Sequence, residues 1–209
     1  MSDSSELLET LEPRRLFAAN PVTVNGTAAK DFIQIDLSGS NYVVKVNGTA
    51  TNYAVANVST FTIICGDGDD TVVIGAGVVG SYVDGGLGND KIVGGDGPDT
   101  VLGAAGKDQI YGGGGNDKLN GAGGNDKVLG EAGADRLYGG DGNDYIDGGS
   151  SGDRIYCGNG LDTALGQSGD DVIFAIDANR DDIFGGSGTD TGYINPADEY
   201  GSLEQIATV

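Results

Sequence analysis

The sequence predicts an all-β solenoid of short parallel strands, and three observations predict it. A nine-residue register runs from Gly85 to Phe174 through ten repeats without insertion. The sixth place of every repeat is Asp, and the eighth is apolar every time. Composition alone points elsewhere: Gly supplies 40 of 209 residues, Trp none, and acidic residues outnumber basic ones 32 to 11. Such a chain reads as disordered until the order of its residues is considered.

The repeats begin at Gly85, Gly94, Gly103, Gly112, Gly121, Gly130, Gly139, Gly148, Cys157 and Gly166. Their sixth places are Asp90, Asp99, Asp108, Asp117, Asp126, Asp135, Asp144, Asp153, Asp162 and Asp171. Their eighth places are Ile92, Val101, Ile110, Leu119, Val128, Leu137, Ile146, Ile155, Ala164 and Ile173. The fourth place is Gly in nine of ten, with Ser151 the exception. Each nonapeptide is expected to be a six-residue turn followed by a three-residue strand. Gly at places one, two and four opens backbone angles closed to other residues. Place eight points inward and places seven and nine outward, following the period of two. Two nonapeptides make one coil of eighteen residues, so alternate turns stack on one edge about 4.8 Å apart.

That stacking puts Asp90, Asp108, Asp126, Asp144 and Asp162 on one edge, and Asp99, Asp117, Asp135, Asp153 and Asp171 on the other. Carboxylates in ladders at that spacing repel strongly without cations. Flexible, oxygen-rich sites suit Ca²⁺, whereas Mg²⁺ demands stricter octahedral geometry and keeps its waters. The alternatives are a solvated linker, or a β-helix in which Asp only makes turns. The joint regularity of places six and eight argues against both.

Repeats such as GGGGNDKLN (112–120) and GGDGNDYID (139–147) resemble the GGxGxDxUx nonapeptide of RTX, hemolysin-type calcium-binding proteins. The resemblance covers roughly Cys65 to Tyr193. It implies a right-handed parallel β-roll, with each Ca²⁺ between stacked turns and held by Asp carboxylates and backbone carbonyls. The carboxylates are then Asp70, the ten above, Asp181 and Asp190. The carbonyls are those of Gly85, Gly88, Gly94, Gly97, Gly103, Gly106, Gly112 and Gly115, followed by Gly121, Gly124, Gly130, Gly133, Gly139, Gly142, Gly160 and Gly169. Five turns per edge leave four gaps, so the ten repeats would hold about eight ions, and more with outlying copies.

Those outlying copies are looser. Cys65 to Val73 carries Asp70 and Val72, Asp181 and Ile183 keep the pattern across a one-residue insertion, and Gly185 to Tyr193 has Gly192 where an apolar residue belongs. Ile74 to Asp84 breaks phase and predicts a wider coil. Ser151 makes Asp153 the doubtful rung, while Ala104, Ala122, Glu131 and Gln167 at place two are milder departures. One medium apolar side chain per nonapeptide does not offset the ordering of nine Gly-rich residues. Metal binding is therefore expected to be folding free energy.

Outside the repeats, the segments read differently. In residues 1–19, Leu11-Glu12-Pro13-Arg14-Arg15-Leu16-Phe17 resembles the LEPR-XLL motif of repeat-rich bacterial surface proteins of the planctomycete type, departing at Phe17. The resemblance implies a flexible sorting or processing segment; the alternative is an amphipathic helix interrupted by Pro13. Residues 20–64 are expected to form an N-terminal β cap, with strands at Phe32–Leu37, Tyr42–Val46 and Phe61–Ile64 and a degenerate first repeat carrying Asp31. Residues 65–192 are the repeats, and 193–209, with Leu203 and Ile206, form a second cap. Solenoid ends need such caps because they expose open sheet edges.

A net charge of -21 argues against nucleic acid and anionic membranes as partners. No apolar stretch is long enough to span a membrane, and no conventional signal peptide is visible, so an extracellular or cell-surface location is expected without a visible route. His is absent, which removes the usual general base and His-paired nucleophiles, and no enzymatic activity is expected. Cys65 and Cys157 both take place one, about five coils or roughly 24 Å apart, too far to pair within the chain. They read as tolerated small residues or as partners between molecules. Lys118, Arg136 and Arg154 form one outward row, with Tyr138, Tyr156 and Phe174 beside it. This strip fits an acidic polysaccharide or extracellular matrix; the alternative is a solvated face.

Overall fold

The computed structural model describes residues 19–208, so the LEPR-like motif lies outside the described residues. The chain is an all-β parallel solenoid of about eight turns, matching a parallel β-roll. Its strands form two sheets of ten and eleven strands, and consecutive repeat strands alternate between them. Hydrogen-bonded neighbours are therefore one coil apart. Leu119 pairs with Val101 and Leu137 in one sheet, and Ile110 with Ile92 and Val128 in the other.

The repeat strands are longer than the spacing suggests. Lys118–Gly123 and Lys127–Ala132 each run six residues, from place seven through place three of the next nonapeptide. The turn proper shrinks to places four to six. In the regular repeats place two takes positive φ everywhere but at Gly95, bending the strand, while its residue stays in register with the neighbouring coil, as Ala122 does with Gly140.

Alternation along these strands buries places eight and one. The ten place-eight residues from Ile92 to Ile173 are 0–1% exposed. Place one holds Gly, or the buried Cys65, Cys157 and Ala175. Burial closes both thiols to a disulfide between folded molecules, one of the two readings their positions allowed.

The N-terminal end has a larger core. β1 (Asn20–Asn25) runs parallel to β5 (Val58–Asp67), and β2 (Phe32–Ser38) runs parallel to Thr71–Ile74. β3 (Asn41–Val46) and β4 (Thr49–Ala54) add antiparallel strands that end the eleven-stranded sheet. Tyr42 meets Phe61 edge-on at 5.3 Å. β1 and β4 have no counterpart in the expected strands. The out-of-phase stretch does widen a coil: Asp70 and Asp90, twenty residues apart, stack directly, and Val78 turns into the core. At the far end Leu203 supplies the apolar group missing at Gly192, where an added Cβ would lie 2.5 Å from the Leu203 Cδ1.

Candidate metal sites

The site begins with the hydrogen bonds of the turns, because buried N–H groups need partners. In the turn Gly142–Tyr145, Gly142 donates to the Asn159 carbonyl at 2.8 Å and Tyr145 to the Asp126 carbonyl at 2.9 Å. Asn143 donates its N–H to the Asn125 Oδ1 at 2.9 Å, and Asp144 to the Asp162 Oδ1 at 2.8 Å. Each turn is thus fastened to the coils on both sides.

Repeated along the chain, the Asp bond makes two ladders. On one edge the N–H groups of Asp70, Asp90, Asp108, Asp126, Asp144 and Asp162 donate to the Oδ1 of the Asp one coil on, at 2.8–2.9 Å, ending on Asp181. On the other edge Asp99, Asp117, Asp135, Asp153 and Asp171 do the same at 2.7–2.9 Å, ending on Asp190. The ten carboxylates of the regular repeats fall on the two edges as expected, and Asp70, Asp181 and Asp190 extend the same ladders.

The ladder ends differ from the rungs. Asp31 donates to the Asp70 Oδ1 at 2.6 Å, and its own carboxylate is filled by the Thr27 N–H at 2.5 Å, the Thr27 hydroxyl at 3.0 Å and the Asn47 amide at 2.5 Å. Burial raises its pKa, but these bonds outweigh burial and hold it below the usual range. Ser81 opens the other ladder by donating to the Asp99 Oδ1 at 2.6 Å. At the far end Asp181 donates to the Asp198 Oδ1 at 3.0 Å and Asp190 to the Glu204 Oε2 at 2.7 Å.

Between the ends, one oxygen of each carboxylate is left over. The Oδ2 atoms of Asp70, Asp90, Asp108, Asp117, Asp126, Asp135, Asp144, Asp153, Asp162, Asp171, Asp181 and Asp190 are buried without a hydrogen-bond partner. Asp99 differs, because the Gly95 N–H reaches its Oδ2 at 3.2 Å. Where place one of the same repeat is Gly, a second oxygen converges on the Oδ2. A Cβ added to Gly85 would lie 2.5 Å from the Asp90 Oδ2 and 2.7 Å from the Gly103 carbonyl; one added to Gly148 would meet the Asp153 Oδ2 at 2.5 Å and the Gly166 carbonyl at 2.9 Å. Gly148 and Gly166 therefore join the expected place-one glycines, both already at place one of the nine-residue register. At place four the Gly residues from Gly106 on face the fourth-place backbone of the preceding coil: a Cβ on Gly115 would meet Gly97 at 2.8 Å.

Oxygen-only donors pointing into a shared gap fit a hard cation. The electrostatics fit as well. Burial, reinforced by neighbouring carboxylates and opposed by the amide bonds, pushes Asp108, Asp117, Asp153 and Asp162 up to about 7. Asp90, Asp144, Asp171 and Asp181 reach about 6 for the same reasons. Among the described residues the ion pairs are Lys45–Asp36, Arg180–Asp182 and Arg180–Glu199, and none involves a ladder carboxylate.

The rung expected to be doubtful combines a regular carboxylate with an irregular turn. Asp153 occupies its ladder like the others, so its carboxylate is in place. Ser151 stands at φ 82°, against 112–147° for the positive-φ glycines at place four of repeats 65 to 193, and the neighbouring Gly133 bond to Ser150 stretches to 3.2 Å. Ala104, Ala122, Glu131 and Gln167 take φ of 71–80°, a conformation that costs non-Gly residues.

The outward strip is in register as expected: Lys118, Arg136 and Arg154 form one row and Tyr138, Tyr156 and Phe174 the next. Tyr193 extends the aromatic row. Successive rings stack at 4.7–4.8 Å with planes within 7°, so neighbouring rings cover one another's faces and leave mainly edges to solvent.

The profile of the RTX calcium-binding nonapeptide repeat matches four times, at residues 84–119, 120–155, 147–177 and 156–191, together just over half of the chain. No curated protein matches it.

Proposed function

The chain belongs to the RTX calcium-binding nonapeptide repeat family, and from that premise we propose that it is a calcium-folded structural rod at or beyond the cell surface. The observation that carries this reading is the set of twelve buried Oδ2 atoms without a partner. A buried carboxylate oxygen left unpaired costs several kcal/mol in general, so a fold that repeats it twelve times needs a counter-charge. Bound Ca²⁺ supplies that charge and completes the oxygen coordination. The chain's own part is orientation: the amide bond to Oδ1 fixes each carboxylate so that Oδ2 faces the gap, and place-one carbonyls turn into the same gap. Asp70 through Asp190 hold the ions with the Gly carbonyls. About eight ions in the ten regular repeats would cancel about sixteen of the negative charges.

The extracellular reading rests on the family resemblance of the repeats and on the LEPR-like segment. The chain is proposed to act without catalysis, having no His and committing its buried carboxylates to the ladders. Calcium titration followed by circular dichroism and calorimetry tests the main reading. A cooperative gain of β signal with several ions per chain is expected; identical spectra in chelator and in millimolar Ca²⁺ would sink it.

A second reading, a matrix- or polysaccharide-binding module, draws on the cationic row beside the aromatic one. Ring edges and Tyr hydroxyls, rather than ring faces, would meet the glycan. Tyr138→Ala with Tyr156→Ala should then weaken retention on an acidic polysaccharide; unchanged retention leaves the strip as surface.

A further inference from the structure

Cys157 stands at place one, where the other nine regular repeats have Gly, and its side chain enters the gap between two rungs. Its Sγ and one carboxylate oxygen each from Asp162 and Asp181 lie within 4.8 Å of one another, all three residues buried. The Oδ2 atoms of both Asp residues lack partners. Among the described residues this is the one such trio of His, Cys, Asp or Glu ligands.

The gap departs from the oxygen cradle in two ways. On its near side the thiol replaces the empty space of Gly. On its far side the turn Ala175–Arg180 (AIDANR) has no Gly at all, so the carbonyl arrangement of GGxGxD is missing there. A hard oxygen site is degraded, and a soft sulfur donor is supplied in its place. Thiolate selects zinc-like cations, whereas Ca²⁺ takes oxygen ligands.

We propose that Cys157, Asp162 and Asp181 form a site for one thiophilic divalent cation, of the zinc or cadmium class, inside a stack otherwise built for calcium. The inference rests on the calcium-folded reading, and the test separates the two. Circular dichroism first establishes that the full chain is folded in saturating Ca²⁺; if it is not, the calcium reading itself fails. Cd²⁺ is then titrated into the folded chain, and ultraviolet thiolate-to-metal charge transfer is followed. The expected result is a band that saturates near one equivalent, is retained in Cys65→Ser and is lost in Cys157→Ser. Because Cys65→Ser leaves Cys157 as the sole thiol, it decides the matter even if Cys157→Ser folds poorly. A folded chain with no band, a band absent from Cys65→Ser, or a band that survives in a folded Cys157→Ser overturns the proposal.

Discussion

At the scale of the residue, one carboxylate does two jobs with its two oxygens. Oδ1 is a fastener and Oδ2 faces the gap, so Asp→Asn separates the roles: the amide keeps an oxygen for the fastener and removes the charge. Asp126→Asn should raise the Ca²⁺ midpoint by roughly 3- to 10-fold, while Asp147→Asn, facing outward, should leave it unchanged; calorimetry on both reads the difference. The pH dependence follows from the raised pKa values. Between about pH 4 and pH 7 the folded, metal-free chain holds protons that an unfolded chain, with ordinary Asp near 3.8, has released. Stability from this source is present at acid pH and is lost as pH rises through about 6–7. Circular dichroism in chelator should therefore show more β structure near pH 4 than near pH 8. Calcium needs the ionised form, so its midpoint should rise on acidification.

At the scale of the turn, backbone conformation sets the tolerance. Gly124 stands at φ 136°, and a Cβ there would overlap the Gly106 carbonyl. Gly124→Ala should cost at least about 1–2 kcal/mol from φ alone and reduce the calcium-dependent circular dichroism amplitude. Ser151→Gly should do the reverse, relieving about 1 kcal/mol of left-handed strain and lowering the Ca²⁺ midpoint. The rungs were legible because Asp at place six and an apolar residue at place eight repeat without error. Strand length was not, because Gly at places one and two reads as turn and yet continues the sheet. β4 was hidden for a different reason: TATNYA lies at a sheet edge with little side-chain burial, so no alternation marks it. The Asn at place five stands in plain view in each GND triplet, but the bond its Oδ1 accepts from the next coil's amide needs the stacked geometry. Cys157 looked like a tolerated small residue because nothing in one dimension brings Asp181 to it.

At the scale of the molecule, the strand pairs and the Asp ladders run between coils, and the unit of construction is two nonapeptides. Tyr111 and Leu129 are register partners, so removing residues 112–129 joins Tyr111 to Gly130 with the remaining ladders still aligned. That variant should fold in Ca²⁺ and bind about two fewer ions. Removing only nine residues should be far more damaging, because everything downstream changes sheet and edge; calorimetry and circular dichroism compare the two. The capped ends give this arithmetic its meaning. Asp31 closes one ladder with a carboxylate already filled by Thr27 and Asn47, while Asp198 and Glu204 receive the last amides at the other end. Neither terminus depends on how many coils lie between them. The architecture is a ruler graduated in steps of eighteen residues and about 4.8 Å, which gene duplication can lengthen or shorten by whole marks without redesigning either end.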